Sequence, residues 1–274
     1  MSARLDAELA ARGLARSRTH AARLVADGRV TIDGVIERKS STKVAVDQRL
    51  DVDADQYVSR AAHKLIAALD VFDIDVTGRT ALDMGASTGG FTQVLRERGA
   101  DPVLAVDVGH DQIAPDIAAD PGVRVVEGFN VRFMTPAALA EASGIADPPR
   151  IVTGDLSFIS LRHVLPAAVE VASPDADLVL LVKPQFEVGR TNVRGGIVED
   201  PALRAQAVRN VLAQAADLGC GTLGVIPSPI TGTHGNAEAV VHIGRGRGSD
   251  PTEWEDEVVG FAQAPPAPGP RGGR

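Results

Sequence analysis

The stretch LDMGASTGGFT, residues 82–92, decides the predicted fold of most of the chain. Its first residues are apolar, as is typical of a buried strand. Its glycines are typical of a turn, and its last residues are typical of the beginning of a helix. Gly85, Gly89 and Gly90 allow a close backbone approach that residues with a Cβ atom disfavour. In open α/β sheets, ligands bind outside the carboxyl ends of the strands. The stretch therefore predicts a ligand site where an α/β domain begins.

Strand and helix patterns alternate from this stretch onward. Apolar runs predict further strands in PVLAVDV, VRVVEG, RIVTGDLS, DLVLLVK, GTLGVIP and AEAVVHIG, and the pattern predicts helices over 88–98, 161–172 and 201–218. This alternation specifies an open parallel sheet covered on both faces. The segment between Lys183 and Asp200 has no periodicity, and we expect a functional loop there.

Residues 1–58 predict a small α+β module. Two short helices are separated by Gly13, and Asp33-Gly34 between alternating apolar residues is a strong hairpin signal. A further strand is expected near residues 42–46. We therefore divide the chain into an N-terminal module (1–58), an α/β domain (59–262) and a Pro- and Gly-rich tail expected to be disordered (263–274).

The net charge of −8 argues against nucleic-acid binding, but basic residues cluster near the N-terminus. The cluster consists of Arg4, Arg12, Arg16, Arg18, Arg23 and Arg29. A local basic patch can bind phosphates even on an acidic protein. The competing interpretation is a solvated helix face, which composition alone favours.

The single cysteine, Cys220, excludes an internal disulfide and is typical of a reducing, cytoplasmic environment. The first residues lack the apolar core of a secretory signal. No window has the roughly 18 consecutive apolar residues of a membrane span. We expect a cytoplasmic protein with no membrane span and no metal site.

The glycine turn does not match the common nucleotide-binding patterns. Ser87 stands where the dinucleotide fingerprint needs glycine, and the P-loop signature Gly-Lys-Ser/Thr is absent. Asp83 can accept a hydrogen bond from a cationic group, and Asp107 at the end of the next strand can accept both hydroxyls of a ribose. These carboxylates suit S-adenosylmethionine, which carries an ammonium, better than a pyrophosphate. The alternative is a tight turn that only packs a helix on a strand.

Four polar side chains are expected around this turn. Asp155 and Lys183 end two predicted strands, Lys64 lies on a helix predicted over 59–72, and Glu238 precedes the last strand. The set suits methyl transfer to a ribose hydroxyl, because a neutral lysine can accept the proton that the hydroxyl loses or steer an oxygen lone pair at the sulfonium methyl. Taken singly, Lys64 could extend to solvent, Asp155 could cap a helix and Glu238 could be an edge charge.

Seven stretches together resemble a known family. They are GLARSRTHAARLVADGRVTIDG, VSRAAHKL, LDMGASTGGFT, GDLSFISL, VKPQFEVGR, GGIVED and SPITGTHGNAE, in this order from residue 13 to 238. The α/β part resembles the FtsJ-type ribose 2′-O-methyltransferases, and the whole chain resembles the TlyA family, bacterial rRNA 2′-O-methyltransferases long labelled haemolysins. The N-terminal part resembles the RNA-binding module of a small-subunit ribosomal protein.

The resemblance implies roles for specific residues. It implies a catalytic tetrad of Lys64, Asp155, Lys183 and Glu238. It implies contacts to S-adenosylmethionine by Gly85, Ser87, Gly89, Gly90, Asp107 and Asn130. It implies phosphate contacts by Arg4, Arg16, Arg18 and Arg23, which position an enzyme without reading sequence. The expected substrate is cytidine in ribosomal RNA or assembled ribosomal subunits.

Three other functions compete with this hypothesis. Methylation of a base amino group usually needs an Asn/Asp-Pro-Pro-aromatic motif after the fourth strand, where this chain has GDLSF. A non-catalytic ribosome-assembly factor would not need the tetrad. A membrane-active haemolysin would need a span or a strongly amphipathic basic helix, which the sequence does not predict.

Overall fold

The computed structural model describes residues 2–15, 17–26, 28–52, 56–232 and 235–265. The chain folds as two compact units, of which the first ends at Gln56 and the second begins at Tyr57. The predicted domain boundary, after residue 58, lies two residues from this division.

The N-terminal unit contains two helices and two small antiparallel sheets. Its elements are β1 (Ser2–Arg4), α1 (Leu5–Ala11), α2 (Arg18–Ala26), β2 (Val30–Ile32), β3 (Val35–Glu37), β4 (Lys43–Ala45) and β5 (Leu50–Val52). Strand β1 pairs with β4, and β2 pairs with both β3 and β5. The predicted hairpin joins β2 to β3, and Asp33 and Gly34 both have positive φ, as a type I′ turn requires. Strands β1 and β5 were not predicted individually, because neither adjoins a turn signal as clear as Asp33-Gly34.

The second unit is built on a seven-stranded sheet. Its strands are β6 (Ala81–Met84), β7 (Val103–Val106), β8 (Val123–Val126), β9 (Ile151–Gly154), β10 (Asp177–Val182), β11 (Cys220–Pro227) and β12 (Ala239–Arg245), in the spatial order β11-β12-β10-β9-β6-β7-β8. Successive residues of β10 belong to different apolar clusters, with Leu180 on one face of the sheet and Leu181 on the other. The predicted fold class, an α/β sheet with both faces covered, is confirmed.

The sheet departs from the predicted parallel arrangement at one strand. Strand β12 runs antiparallel to both of its neighbours, β10 and β11. A parallel connection needs a crossover of a dozen or more residues, usually through a helix. Strands β11 and β12 are separated by only eleven residues, 228–238, too few for such a crossover, so β12 lies antiparallel beside β11.

Eight helices are described in the second unit. They are α3 (Ala62–Val71), α4 (Gly90–Glu97), α5 (Pro115–Ala118), α6 (Pro136–Ser143), α7 (Leu165–Val171), α8 (Pro184–Glu187), α9 (Pro201–Asp217) and α10 (Glu255–Gln263). None of the helices in the described ranges is both long and apolar enough to cross a membrane.

Helix boundaries differ from the predictions where backbone conformation overrides the side-chain pattern. Helix α4 begins at Gly90 rather than residue 88, because Gly89 has a left-handed φ of 93°. The expected loop after Lys183 contains helix α8, for which Pro184 sets the first helical φ. The predicted tail begins at Gln263, the last residue of α10, and residues 266–274 lie outside the described part of the chain.

Candidate active site

Asp155 lies between two lysine side chains. Its Oδ1 atom is 2.6 Å from Lys183 Nζ, and its Oδ2 atom accepts a hydrogen bond of 3.2 Å from Lys64 Nζ. Lys64 Nζ also donates to Glu238 Oε2 across 2.7 Å. The four residues predicted as a tetrad are therefore one connected chain of contacts, from Glu238 through Lys64 and Asp155 to Lys183.

The tetrad is almost sealed from solvent. Lys64 is 5% exposed, Lys183 8% and Glu238 3%. Burial would raise the pKa of Asp155, but the nearby ammonium groups of Lys64 and Lys183 outweigh it and hold that pKa below its usual value. With both lysines protonated and both carboxylates ionised, the formal charges cancel, which allows four ionisable groups to share one apolar surrounding.

The sheet brings these residues to one edge although they are far apart in sequence. Asp155 directly follows β9 and Lys183 directly follows β10, which are parallel neighbours. Glu238 directly precedes β12, and because β12 is antiparallel, its first residue, Ala239, pairs with Val182 at the end of β10. Lys64 reaches the same edge from α3, whose apolar side packs on the sheet.

A cavity of about 570 Å³ lies beside the tetrad at the same edge. We call it the Asp107 cavity. Its lining includes the predicted site residues Gly85, Ser87, Asp107, Asn130 and Asp155. Asp107 is held by two backbone hydrogen bonds of 2.8 Å, from Ser87 N to Oδ2 and from Gly109 N to Oδ1. Each oxygen can still accept another bond, so the carboxylate is held in a fixed orientation at the cavity wall.

Three predicted cofactor residues lie behind this wall. Asp83 is buried and accepts hydrogen bonds from the hydroxyls of Thr92 (2.7 Å) and Thr153 (3.3 Å). Burial raises the pKa of Asp83 to about 7. A Cβ atom on Gly89 would lie 3.0 Å from Ile117, and one on Gly90 would lie 2.9 Å from Ser59. Asp83, Gly89 and Gly90 thus pack the turn against its helices, and their contact with a cofactor stays a prediction.

A second cavity, of about 370 Å³, opens on the other side of Ser157. We call it the Lys183 cavity. It is lined by Ser157, Phe158, Lys183, Gln185, Phe186, Val193, Gly196, Asn236 and Glu238. Ser157 and Phe158 line both cavities. Two catalytic candidates therefore face a space separate from the Asp107 cavity but adjoining it.

Phe158 is the most exposed large apolar side chain described, at 92%. Its φ is 66°, a left-handed conformation that bulky residues rarely adopt. Its ring lies 5.5 Å from that of Phe186. Exposing an aromatic ring to solvent and holding its backbone in a left-handed conformation both cost free energy. The combination indicates a binding surface.

Asn236 connects two loops beside the Lys183 cavity through hydrogen bonds. Its Nδ2 donates to Gly196 O (2.7 Å), and its Oδ1 accepts from Val198 N (3.0 Å). The segment that carries Glu238 is thereby fixed to the end of the long loop after Lys183.

In the N-terminal unit, two of the predicted RNA-binding arginines share one carboxylate. Asp6 accepts two hydrogen bonds of 3.0 Å from Arg4 and one of 3.4 Å from Arg18. These contacts lower the pKa of Asp6 to about 2, chiefly through the Arg4 hydrogen bonds. Both arginine side chains remain partly exposed, at 43% and 64%. Arg23 is exposed on α2, and Arg16 lies outside the described residues.

Sequence reasoning missed Ser157, Phe158, Gly232 and Asn236. Their roles depend on contacts between distant loops, for which the local pattern carries no signal. One available signal was overlooked. The chain contains four lysines, Lys39, Lys43, Lys64 and Lys183, so every lysine of the second unit belongs to the tetrad.

Comparisons with known proteins identify the family of each part of the chain. Residues 57–245 match the family described as FtsJ-like methyltransferase, and residues 3–50 match the S4 domain. A 16S/23S rRNA (cytidine-2′-O)-methyltransferase TlyA from Mycobacterium tuberculosis (strain CDC 1551 / Oshkosh) is 52% identical over 240 residues, covering 86% of this chain and 87% of the relative.

Some of the matching proteins carry the haemolysin name. Hemolysin A from Brachyspira hyodysenteriae is 34% identical, covering 88% of this chain and 99% of the relative. A solved structure described as a putative hemolysin from Streptococcus thermophilus superposes with a TM-score of 0.74 at 35% identity, with 95% of each chain covered.

Gly232 offers a test of the tetrad geometry. A Cβ atom at this position would overlap Glu238 Oε1. We expect Gly232→Ala to push the Glu238 carboxylate away from Lys64 and to lower the catalytic rate at least about tenfold, since small misplacements in a site are costly. The measurement is methyl transfer together with the melting temperature.

Gly260→Ala is the matched control. Gly260 lies within α10 and a Cβ there meets nothing within 4 Å, so this change should leave the rate unaltered and stabilise the helix slightly. A Gly232→Ala variant with the wild-type rate would show that the position of Glu238 does not matter.

Proposed function

The chain belongs to the TlyA family of FtsJ-like methyltransferases, and we propose that it transfers a methyl group from S-adenosylmethionine to the ribose 2′-hydroxyl of a cytidine in ribosomal RNA. The observation that carries this proposal is the buried contact chain of Glu238, Lys64, Asp155 and Lys183 between two cavities. Because the proposed substrate is ribosomal RNA, the proposed location of the protein is the cytoplasm.

The lining of the Asp107 cavity fits S-adenosylmethionine. It contains two carboxylates, Asp107 and Asp155, and none of its lining residues is Lys or Arg. Such a wall favours a cationic ligand over a phosphate-bearing one. The fixed oxygens of Asp107 suit the two hydroxyls of a ribose. In this proposal, Ser87, Asp107 and Asn130 hold the nucleoside part.

When bound, S-adenosylmethionine supplies a methyl group on a sulfonium, so that the ribose oxygen gains the methyl as the carbon–sulfur bond breaks and the hydroxyl proton leaves. Lys183, once it has released its own proton to solvent and is a neutral amine, is the proposed acceptor of that proton, because it lines the cavity on the substrate side. Asp155 and Lys64 orient it and keep the site's charge balanced. Alignment of the reacting atoms by the two cavities supplies much of the rate.

The two lysines are not equivalent. Lys64 donates hydrogen bonds to two carboxylates, those of Asp155 and Glu238. Lys183 contacts one carboxylate and the neutral hydroxyl of Ser157. Lys183 is therefore the less compensated of the two cations, and we propose it, rather than Lys64, as the residue that takes the proton.

The Lys183 cavity is the proposed place of the target nucleotide. Sequence-specific RNA recognition uses unstacked bases that lie against aromatic side chains. The exposed ring of Phe158, next to Phe186, offers such a surface at the entrance to the lysine.

The N-terminal unit is the proposed RNA anchor. It matches the S4 domain, and Arg4, Arg18 and Arg23 are exposed on it. Their contacts with phosphates would raise affinity without choosing the nucleotide.

Substitution of Lys183 tests the proposed proton transfer. We expect Lys183→Ala to lower methyl transfer by roughly 100-fold or more, in the range of a lost general base. Lys183→Arg should be equally inactive, because arginine keeps the charge but cannot accept the proton. Transfer is measured with labelled methyl donor and ribosomal subunits from cells that lack the protein, and binding of cofactor and of subunits is measured separately.

Either Lys183 variant with the wild-type rate would contradict the proposal. If the wild-type protein binds subunits but transfers no methyl group, the chain acts as a non-catalytic assembly factor instead.

Substitution of Arg4 and Arg18 tests the anchor. We expect the double variant Arg4→Ala/Arg18→Ala to bind subunits more weakly. The slope of log affinity against log salt concentration should fall by about one for each phosphate that the variant no longer neutralises. Arg49→Ala is the control, since Arg49 is in the same unit with a side chain 77% exposed. Equal affinities for the wild type and the double variant would exclude these two arginines as the anchor.

Substitution of Phe158 tests the base-stacking surface. We expect Phe158→Ala to raise the KM for subunits about tenfold, because stacking of one base contributes roughly 1–3 kcal/mol, and Phe158→Tyr to retain most of the affinity. Cofactor affinity should not change. Phe133→Ala removes another exposed ring (70% exposed) as a control. An unchanged KM in Phe158→Ala would mean that the base lies elsewhere.

A further inference from the structure

Ser157 contacts the proposed proton acceptor directly. Lys183 Nζ donates to Ser157 Oγ across 2.9 Å and lies 2.6 Å from Asp155 Oδ1. Ser157 lines both the Asp107 cavity and the Lys183 cavity. Its hydroxyl therefore lies on the boundary across which the methyl group would pass.

The geometry of a neutral amine limits the direction from which Lys183 can accept a proton. A neutral primary amine has two N–H groups and one lone pair, arranged tetrahedrally with the bond to carbon. A proton can be accepted only along the lone pair. If one N–H points to Asp155 and the other to Ser157, a single direction remains for the lone pair. Because Lys183 lines the cavity, a hydroxyl in that cavity can approach along this direction.

We propose that Ser157 is a positioning residue, which with Asp155 aims the lone pair of Lys183 at the ribose hydroxyl. This inference rests on the function proposed above. In the reaction, the proton leaves the ribose oxygen and becomes the third N–H of the Lys183 ammonium, while Ser157 keeps its own proton throughout. Ser157 acts through the lysine and takes no part in bond making.

Lys64 shows why a hydroxyl rather than a second carboxylate suits this position. With a carboxylate on each side, Lys64 Nζ has partners that favour the ammonium. A hydroxyl oxygen accepts a hydrogen bond from the amine in a defined direction, as a carboxylate oxygen does, but it adds no negative charge. Ser157 can thus orient Lys183 without opposing the neutral form that has to accept the proton.

Kinetics of Ser157 variants provide the first test. We expect Ser157→Ala to lower kcat roughly 10- to 100-fold, with the KM values for subunits and for S-adenosylmethionine within twofold of wild type. Ser157→Thr should restore most of kcat, because it returns a hydroxyl to the same carbon. A merely structural role predicts instead that Thr fails to rescue, or that KM and kcat change together.

Ser160→Ala is the matched control. Ser160 lies in the same loop, and its hydroxyl donates to Glu187, whereas the hydroxyl of Ser157 accepts from Lys183. If loss of any loop hydroxyl slows the enzyme, Ser160→Ala should reduce kcat as much as Ser157→Ala, and the proposal would be wrong. We expect kcat of Ser160→Ala to remain within twofold of wild type.

A second readout does not depend on turnover. With only four lysines in the chain, NMR of the ¹⁵Nζ-labelled protein can resolve the ammonium groups of Lys64 and Lys183. We expect Ser157→Ala to accelerate solvent exchange of the Lys183 N–H protons at least severalfold and to leave those of Lys64 unchanged. Unchanged exchange at Lys183 would overturn the inference.

The two proposals fail in different ways. If the wild type methylates subunits and Ser157→Ala has the same kcat, the positioning role is wrong and the function stands. If the wild type transfers no methyl group, the function is wrong, and the exchange rates alone decide whether Ser157 holds the amine.

Discussion

Two ammonium groups are buried at the end of an apolar sheet, and Asp155 makes this possible by using a different oxygen for each. An unpaired buried charge is unstable by several kcal/mol, so Lys183 depends on this carboxylate, whereas Lys64 is held by Asp155 and Glu238 together. Glu238 completes the balance on the far side of Lys64. Because removal of one partner from a buried ion pair costs roughly 3–5 kcal/mol, the four side chains depend on one another for their stability.

This requirement explains the topology around the site. Parallel strands bring their carboxyl ends to one edge, which accounts for Asp155 and Lys183 but not for a residue that precedes a strand. Glu238 reaches that edge because β12 runs in the opposite direction, so that its start lies beside the end of β10. The antiparallel strand is therefore the element that supplies the second carboxylate, and Asn236 fixes the segment that presents it.

Features that depend on local pattern could be predicted from the sequence, and features that depend on long-range contacts could not. The apolar run of β10 and the glycines after β6 were sufficient to predict the sheet and the edge where its ligands bind. The pairing of β12 was mispredicted as parallel, because strand direction depends on the connection and not on the strand. Ser157 and Gly232 could not be recognised, because their significance comes from atoms of Lys183 and Glu238 that are distant in sequence. Asp83 illustrates another limit: its contact with a cofactor stays a prediction, and the local sequence carried no signal that its carboxylate accepts hydrogen bonds from two threonine hydroxyls.

Lysine and arginine occupy different kinds of position in the second unit. In the second unit the structural ion pairs use arginine, as in Arg96 with Asp120 and Arg209 with Glu255, whereas its two lysines both lie in the tetrad. Arginine stays protonated in proteins, so it can balance a carboxylate but cannot accept a proton. Lysine is the long cationic side chain that can exist in a neutral form when its surroundings permit. The unit thus places lysine where the proposed reaction has a proton to move, and the unequal partners of Lys64 and Lys183 decide which of the two moves it.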